Sequence, residues 1–145
     1  MNTILMALDF SKFSPEVTKV GFALAKKIDA RVIITTIVNK NIEYVPTITG
    51  EVFADQWEAR QHIALENLEN VKKEYNDSPV EIVSFIGDPK TDIIDTAISR
   101  HATFIVIGTH GRTGLSNLLL GSTAEYIVRH SPVPVIVVPY KKEKH

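Results

Sequence analysis

Four of the seven glycines fall between residues 108 and 121, in the run Gly108-Thr109-His110-Gly111-Arg112-Thr113-Gly114-Leu115-Ser116-Asn117-Leu118-Leu119-Leu120-Gly121-Ser122-Thr123. Glycine lets a backbone take positive φ and approach a ligand with no Cβ in the way. The run ends on Ser122-Thr123-Ala124-Glu125, a capping-box pattern that opens a helix. A helix start offers unpaired N–H groups and the positive end of a dipole. The hydroxyls of Ser122 and Thr123 add donors. This combination suits phosphate. Fixed charge is sparse, chiefly Arg112, so backbone and hydroxyl donors would supply the affinity. Glycine spacing alone describes a capped surface loop equally well. The position of the run in the fold has to decide.

The elements around it alternate in kind. Five short apolar runs rich in Ile and Val, at residues 4–8, 31–38, 80–86, 104–107 and 135–138, read as buried strands. Most lack a polar face, as strands covered on both sides do. Helical patterns lie between them. Ser14-Pro15-Glu16 suggests an N-cap, with Val17, Val20, Leu24 and Ile28 inward. Residues 51–75 place Phe53, Trp57, Ala64, Leu68, Val71 and Tyr75 on one stripe. That stripe reads as core or as a partner surface. Asp88-Pro89 opens a third helix, with Ile93, Ile94, Ala97 and Ile98 inward, and the fourth turns Ile127 and Val128 inward. Strand-helix repetition implies an open α/β fold, a five-stranded, mostly parallel sheet with helices on both faces. Residues 39–50 form a long irregular stretch of the kind that carries function or motion.

At 145 residues the expectation is one domain spanning 1–145. There is no cysteine, which excludes disulfides, thiolate metal sites and a cysteine nucleophile. A net charge of −1 gives no global pull toward nucleic acid or anionic membrane. No stretch is long and apolar enough to span a bilayer, and the N-terminus lacks a basic leader. The expected location is the cytoplasm. His62, His101, His130 and His145 show no metal-ligand spacing, and no metal site is expected.

Ligands of open α/β sheets sit beyond the carboxyl ends of strands, where strand order reverses. Asp9 ends the first strand and Gly108 the fourth. If those strands are neighbours, both loops line one crevice. Asp9 alone could equally be a loop or helix cap.

The pattern Gly108-x2-Gly111-x9-Gly121-Ser122 is similar to the ATP-binding signature of the universal stress protein family. The opening Ile4-Leu5-Met6-Ala7-Leu8-Asp9-Phe10-Ser11 and the ending Ser131-Pro132-Val133-Pro134-Val135-Ile136-Val137-Val138 resemble the family too, so the likeness covers essentially the whole chain. The resemblance implies a Rossmann-like sheet of order 3-2-1-4-5, a homodimer and one ATP per subunit. Carried over to these positions, it implies that Gly108 and Gly111 approach the ribose and phosphates. Gly121, Ser122 and Thr123 would hold the phosphates, and Asp9 would meet the adenosine end. Ile37, with Val38 as competitor for the register, and backbone around Ala7 would face the adenine. Ile107 and His110 would flank the ribose and phosphate. Ala124 lacks a hydroxyl that some members carry there.

Neighbouring classes lack their residues. There is no G-x-G-x-x-G after strand one and no G-x-x-x-x-G-K-[ST]. No acid cluster for two-metal chemistry or Ser/His/Asp arrangement is legible. The expected function is an ATP-binding stress or signalling protein whose occupancy alters conformation or partner binding, with no assigned catalytic residue. The alternatives are a slow ATPase or phosphotransferase with Mg²⁺ on the phosphates, and a nucleotide-independent dimeric adaptor. The last strand, with Val133, Val135, Ile136, Val137 and Val138, is the expected dimer edge.

Overall fold

Apolar side chains that alternate between the two faces of each strand account for the layering. The computed structural model describes residues 1–41, 55–109 and 120–140. In chain order the elements are β1 (Thr3–Ala7), α1 (Ser14–Ile28), β2 (Arg31–Asn39), α2 (Asp55–Glu74), β3 (Val80–Gly87), α3 (Pro89–Ser99), β4 (Phe104–Gly108), α4 (Ser122–His130) and β5 (Val135–Val138). The strands form one sheet in the order β3-β2-β1-β4-β5, as expected, and every pairing is parallel. Successive strand residues point to opposite faces. Ile4 and Met6 of β1 join Val32, Ile34 and Val106 under Val17, Phe22 and Ala25 of α1 and Leu68 of α2. Leu5, Ile33 and Ile105 meet Ile93, Ile94 and Ala97 of α3 and Ala124 and Ile127 of α4 on the other face. Both faces are therefore dry, which explains strands without a polar side.

The helix faces differ from the sequence reading in one systematic way. Val20, Ile98 and Val128, expected inward, are 38%, 49% and 46% exposed. The buried stripe of α1 instead runs through Ser14, Val17, Thr18, Gly21, Phe22 and Ala25. The reason lies in the sheet: a Cβ at Gly21 would overlap Sδ of Met6, which is fully buried. Small residues thus mark the close contact, whereas the sequence reading followed large ones. Leu24 and Ile28 pack against the same core from the flank.

Two caps also shift. Phe13, not Ser14, precedes the first helical residue of α1, and the Ser14 hydroxyl donates to Asp9 instead. At α4 the N-cap is Gly121 with no side-chain cap, so Ser122 lies inside the helix and the capping box does not form. Asp88 does cap α3, accepting from the Lys90 amide at 3.0 Å. Helix α2 starts at Asp55, and Phe53 and most of the 39–50 stretch lie outside the described residues. Its inner face is docked by Gln61, which donates to the Ser84 carbonyl at 3.0 Å. The Ser84 hydroxyl in turn donates to the Thr36 carbonyl at 2.6 Å. Tyr75, just past the end of α2, stacks on Phe22 of α1 with ring centres 3.9 Å apart.

Candidate functional site

The crevice arises from a divergence of two neighbours. β1 and β4 pair from Ile4↔Phe104 to Met6↔Val106. Beyond that point β1 stays with β2, as the Leu8 amide donates to the Thr35 carbonyl at 2.8 Å. β4 stays with β5, as the Thr109 amide donates to the Val138 carbonyl at 3.2 Å. A cleft opens between the two departing strands, at the switch point of the order. It holds a cavity of about 580 Å³, a size typical of small-molecule sites.

Eight of the ten residues read from the sequence line this cavity: Ala7, Asp9, Ile37, Ile107, Gly108, Gly121, Ser122 and Thr123. His110 and Gly111, like Arg112, lie outside the described residues. Val38 lines the cavity as well as Ile37. Ile37 belongs to the face packed by α3 and α4, together with Ile107 and Ala7. These three side chains make one apolar shelf across β2, β1 and β4.

Asp9 sits at the centre of the β1–α1 turn. Its Oδ1 accepts from the Ser11 amide at 2.9 Å and from the Ser14 hydroxyl at 3.2 Å. The neighbouring Phe10 has a φ of 56°, a left-handed conformation uncommon for an aromatic residue. The turn therefore carries backbone strain at the rim of the cavity, held by the Asp9 hydrogen bonds. The capping role of Asp9 is realised, and the residue lines the cavity at the same time.

Across the cleft, the extended Gly121 leads into α4. Its carbonyl accepts from the Glu125 amide at 2.9 Å, the first helical bond. By helix geometry the amides of Ser122, Thr123 and Ala124 have no carbonyl one turn back. They form the donor set at the positive end of the helix dipole. Gly121 has a φ of −62°, so glycine is not required there for left-handed backbone.

The sequence reading missed the third wall. Arg60, Ile63, Ala64 and Asn67 of α2 line the cavity. The Arg60 guanidinium lies 5.2 Å from the centre of the Trp57 ring. Trp57, Arg60, Ala64 and Asn67 recur at spacings of three and four, the signature of one helix face. The polar members of that face were the available signal. Among the described residues, Asp9 and Arg60 are the charged groups lining the cavity, and no histidine does. None of those residues forms a His/Cys/Asp/Glu group able to hold a metal ion. His62, His101 and His130 are exposed, as expected for surface residues. No helix among the described residues is long and apolar enough to cross a membrane.

The comparisons with known proteins agree with this geometry. Residues 1–139 match the model of the "Universal stress protein family". Universal stress protein MJ0531 of Methanocaldococcus jannaschii is 32% identical, covering 97% of this chain and 84% of its own. The solved structure of the hypothetical protein MJ0577 superposes with a TM-score of 0.84 at 27% identity, covering 98% of both chains. The universal stress protein of Archaeoglobus fulgidus, solved in complex with dAMP, superposes with a TM-score of 0.64 at 22% identity, over 95% of this chain and 98% of that one. At that identity the likeness concerns the fold. With the family model matching nearly the whole chain, this protein belongs to the universal stress protein family.

Proposed function

We propose that this chain is an adenine-nucleotide-binding stress protein, with ATP as ligand, and that occupancy of the cleft alters its conformation or its affinity for a partner protein. The observation that carries the reading is the convergence, on one cavity at the switch point, of the Asp9 turn, the Ile37–Ala7–Ile107 shelf and the α4 donor set. A relative solved with dAMP supports a nucleotide as the class of ligand.

In this reading the phosphates meet the amides of Ser122, Thr123 and Ala124 and the hydroxyls of Ser122 and Thr123. The Ile37 and Ala7 part of the shelf takes the flat base, Ile107 flanks the ribose and phosphate, and Asp9 accepts from the ribose or base. Gly108, Gly111 and His110 flank the ribose and phosphates. Mg²⁺ would arrive on the phosphates and keep most of its waters, since Asp9 is the lone carboxylate of the described lining. A switch requires that ATP bind one state better than another. The chain would work as one unit in the cytoplasm.

The same reading pairs two copies through β5. Among the described residues that strand is a sheet edge, hydrogen-bonded to β4 alone. Val133, Val135 and Val137 are half-buried there and share a shallow groove with exposed Val128. A second copy across a two-fold axis would cover the edge and Val128 together.

The test is nucleotide content. The purified protein is denatured and its supernatant resolved by ion exchange against ATP, ADP and AMP, with Gly121→Val in parallel and circular dichroism as the folding control. Near-stoichiometric adenine nucleotide, lost in the folded variant, is the expected result. A protein that carries none and takes up no added Mg-ATP would overturn the reading and leave the adaptor.

A further inference from the structure

Arg60 is the one cation that lines the cavity among the described residues, and it stands on a helix to which the nucleotide reading gives no role. Its position in the fold says which end of a ligand it can reach. Helix α2 packs on β2 and β3, on the same face as α1. The α4 donor set lies on the opposite face, at the end of β4. β2 and β4 are separated by β1, about 10 Å apart within the sheet, before the two helix layers are counted. Arg60 and the α4 amides therefore occupy opposite ends of one cavity. A ligand that touches both is elongated, and if its phosphates lie on α4 its far end lies against α2.

A guanidinium has donors and no acceptor. What it meets at that end must present acceptors or a flat face. The guanidinium lies 5.2 Å from the Trp57 ring centre, and Arg60 lines the cavity. Among the described residues Arg60 forms no ion pair, so no carboxylate there competes for those donors. Asn67 follows Arg60 along the same helix face, beyond Ala64, and offers both a donor and an acceptor. Arg donates to purine acceptors, and an amide suits the acceptor–donor edge of adenine, so the two side chains offer contacts to a purine edge.

We propose that the Arg60–Asn67 face of α2 is the base-reading wall of the cleft, with Arg60 donating to a ring nitrogen of the purine and setting which purine is preferred. This inference rests on the nucleotide reading above and adds to it the residue that discriminates among bases.

The test separates base from phosphate. Affinities for Mg-ATP, Mg-GTP and Mg-tripolyphosphate, which has no base, are measured by titration calorimetry on wild type, Arg60→Met and Arg60→Lys. Methionine keeps the apolar stem and removes the donors. Thermal melting and circular dichroism confirm that each variant folds. The expected result is a loss of about tenfold in affinity for Mg-ATP, a fall in the preference for ATP over GTP and unchanged tripolyphosphate binding. Arg60→Lys recovers only part of the loss, because an ammonium lacks the planar, preorganised guanidinium. An equal loss for tripolyphosphate would make Arg60 a phosphate contact and overturn the proposal. Unchanged nucleotide binding in Arg60→Met would overturn it while the nucleotide reading stands. Wild-type protein that binds no nucleotide would end both.

Discussion

The Gly121 amide donates to the Thr109 carbonyl at 2.7 Å, closing the two flanks of the glycine-rich segment on each other. Thr109 is itself tied to β5 through Val138. The start of α4 is thus anchored to the sheet through two backbone bonds in series, and its donors are aimed by the strands. The same bond consumes the Gly121 N–H. The amides left to a ligand are those of the next three residues.

Gly121→Pro tests that anchor. Proline suits a φ of −62°, so the ring fits the backbone locally. It removes the N–H and with it the bond to the Thr109 carbonyl. The expected loss is about 2 kcal/mol of stability, read by denaturant unfolding. Nucleotide affinity should fall further than stability alone explains, because the donor set loses its aim. Unaltered stability would mean that the flanks are held by other contacts.

Asp9 can be separated into its structural and its ligand roles. Asn keeps an acceptor oxygen for the Ser11 amide and the Ser14 hydroxyl, while Ala keeps none. Asp9→Ala is expected to cost about 1–2 kcal/mol, since the Phe10 turn loses its hold. Asp9→Asn should melt close to wild type yet bind nucleotide more weakly. Equal destabilisation by both substitutions would show that the turn needs the charge rather than the acceptor.

Much of this architecture was legible because its determinants are local or periodic. Val- and Ile-rich runs gave all five strands, and Asp88-Pro89 gave a helix start that the structure keeps. Eight proposed site residues converge because each sits at a strand end, in a loop or at the start of α4, next to the switch point. What stayed hidden was tertiary. Gly21 looks like a weak point in a helix until Met6 is seen beneath it. Ser14 looks like a cap until the Asp9 carboxylate is found within its reach. Arg60 looks like a solvated charge until α2 is seen to overhang the cleft.

The Gly21–Met6 contact sets two effects against each other. In an exposed helix interior, Gly→Ala stabilises by about 1 kcal/mol. Here the new methyl would meet the Met6 sulfur, and Met6, 0% exposed, has no solvent-side space to swing into. Overpacking of this kind costs about 1–3 kcal/mol, so the clash should win and Gly21→Ala should lower the unfolding midpoint. In a Met6→Ala background the sign should reverse, with the same substitution raising it. Stabilisation in both backgrounds would show that β1 and α1 can separate freely.

Gly87 and Asp92 make a second contact of this kind, between the end of β3 and the first turn of α3. The Asp92 carboxylate accepts from the Asp88 amide at 2.7 Å, an acid in the first turn of α3 on a donor at the helix start. A Cβ on Gly87 would overlap its Oδ2. The carboxylate would have to leave, and a hydrogen bond to a charged group contributes about 1.5–3 kcal/mol. Gly87→Ala should therefore cost about 2 kcal/mol. Asp92→Ala should cost a similar amount, since it removes the same bond. If the carboxylate is the obstacle, Gly87→Ala adds almost nothing once Asp92 is gone, and the double-mutant cycle returns a coupling near the full single-site cost. Pro89 and Ile93 of the same helix line the cavity, so the two single variants should also weaken nucleotide binding alike. Additive losses would instead place the strain of the new methyl on the backbone of β3, and leave α3 and the cleft undisturbed.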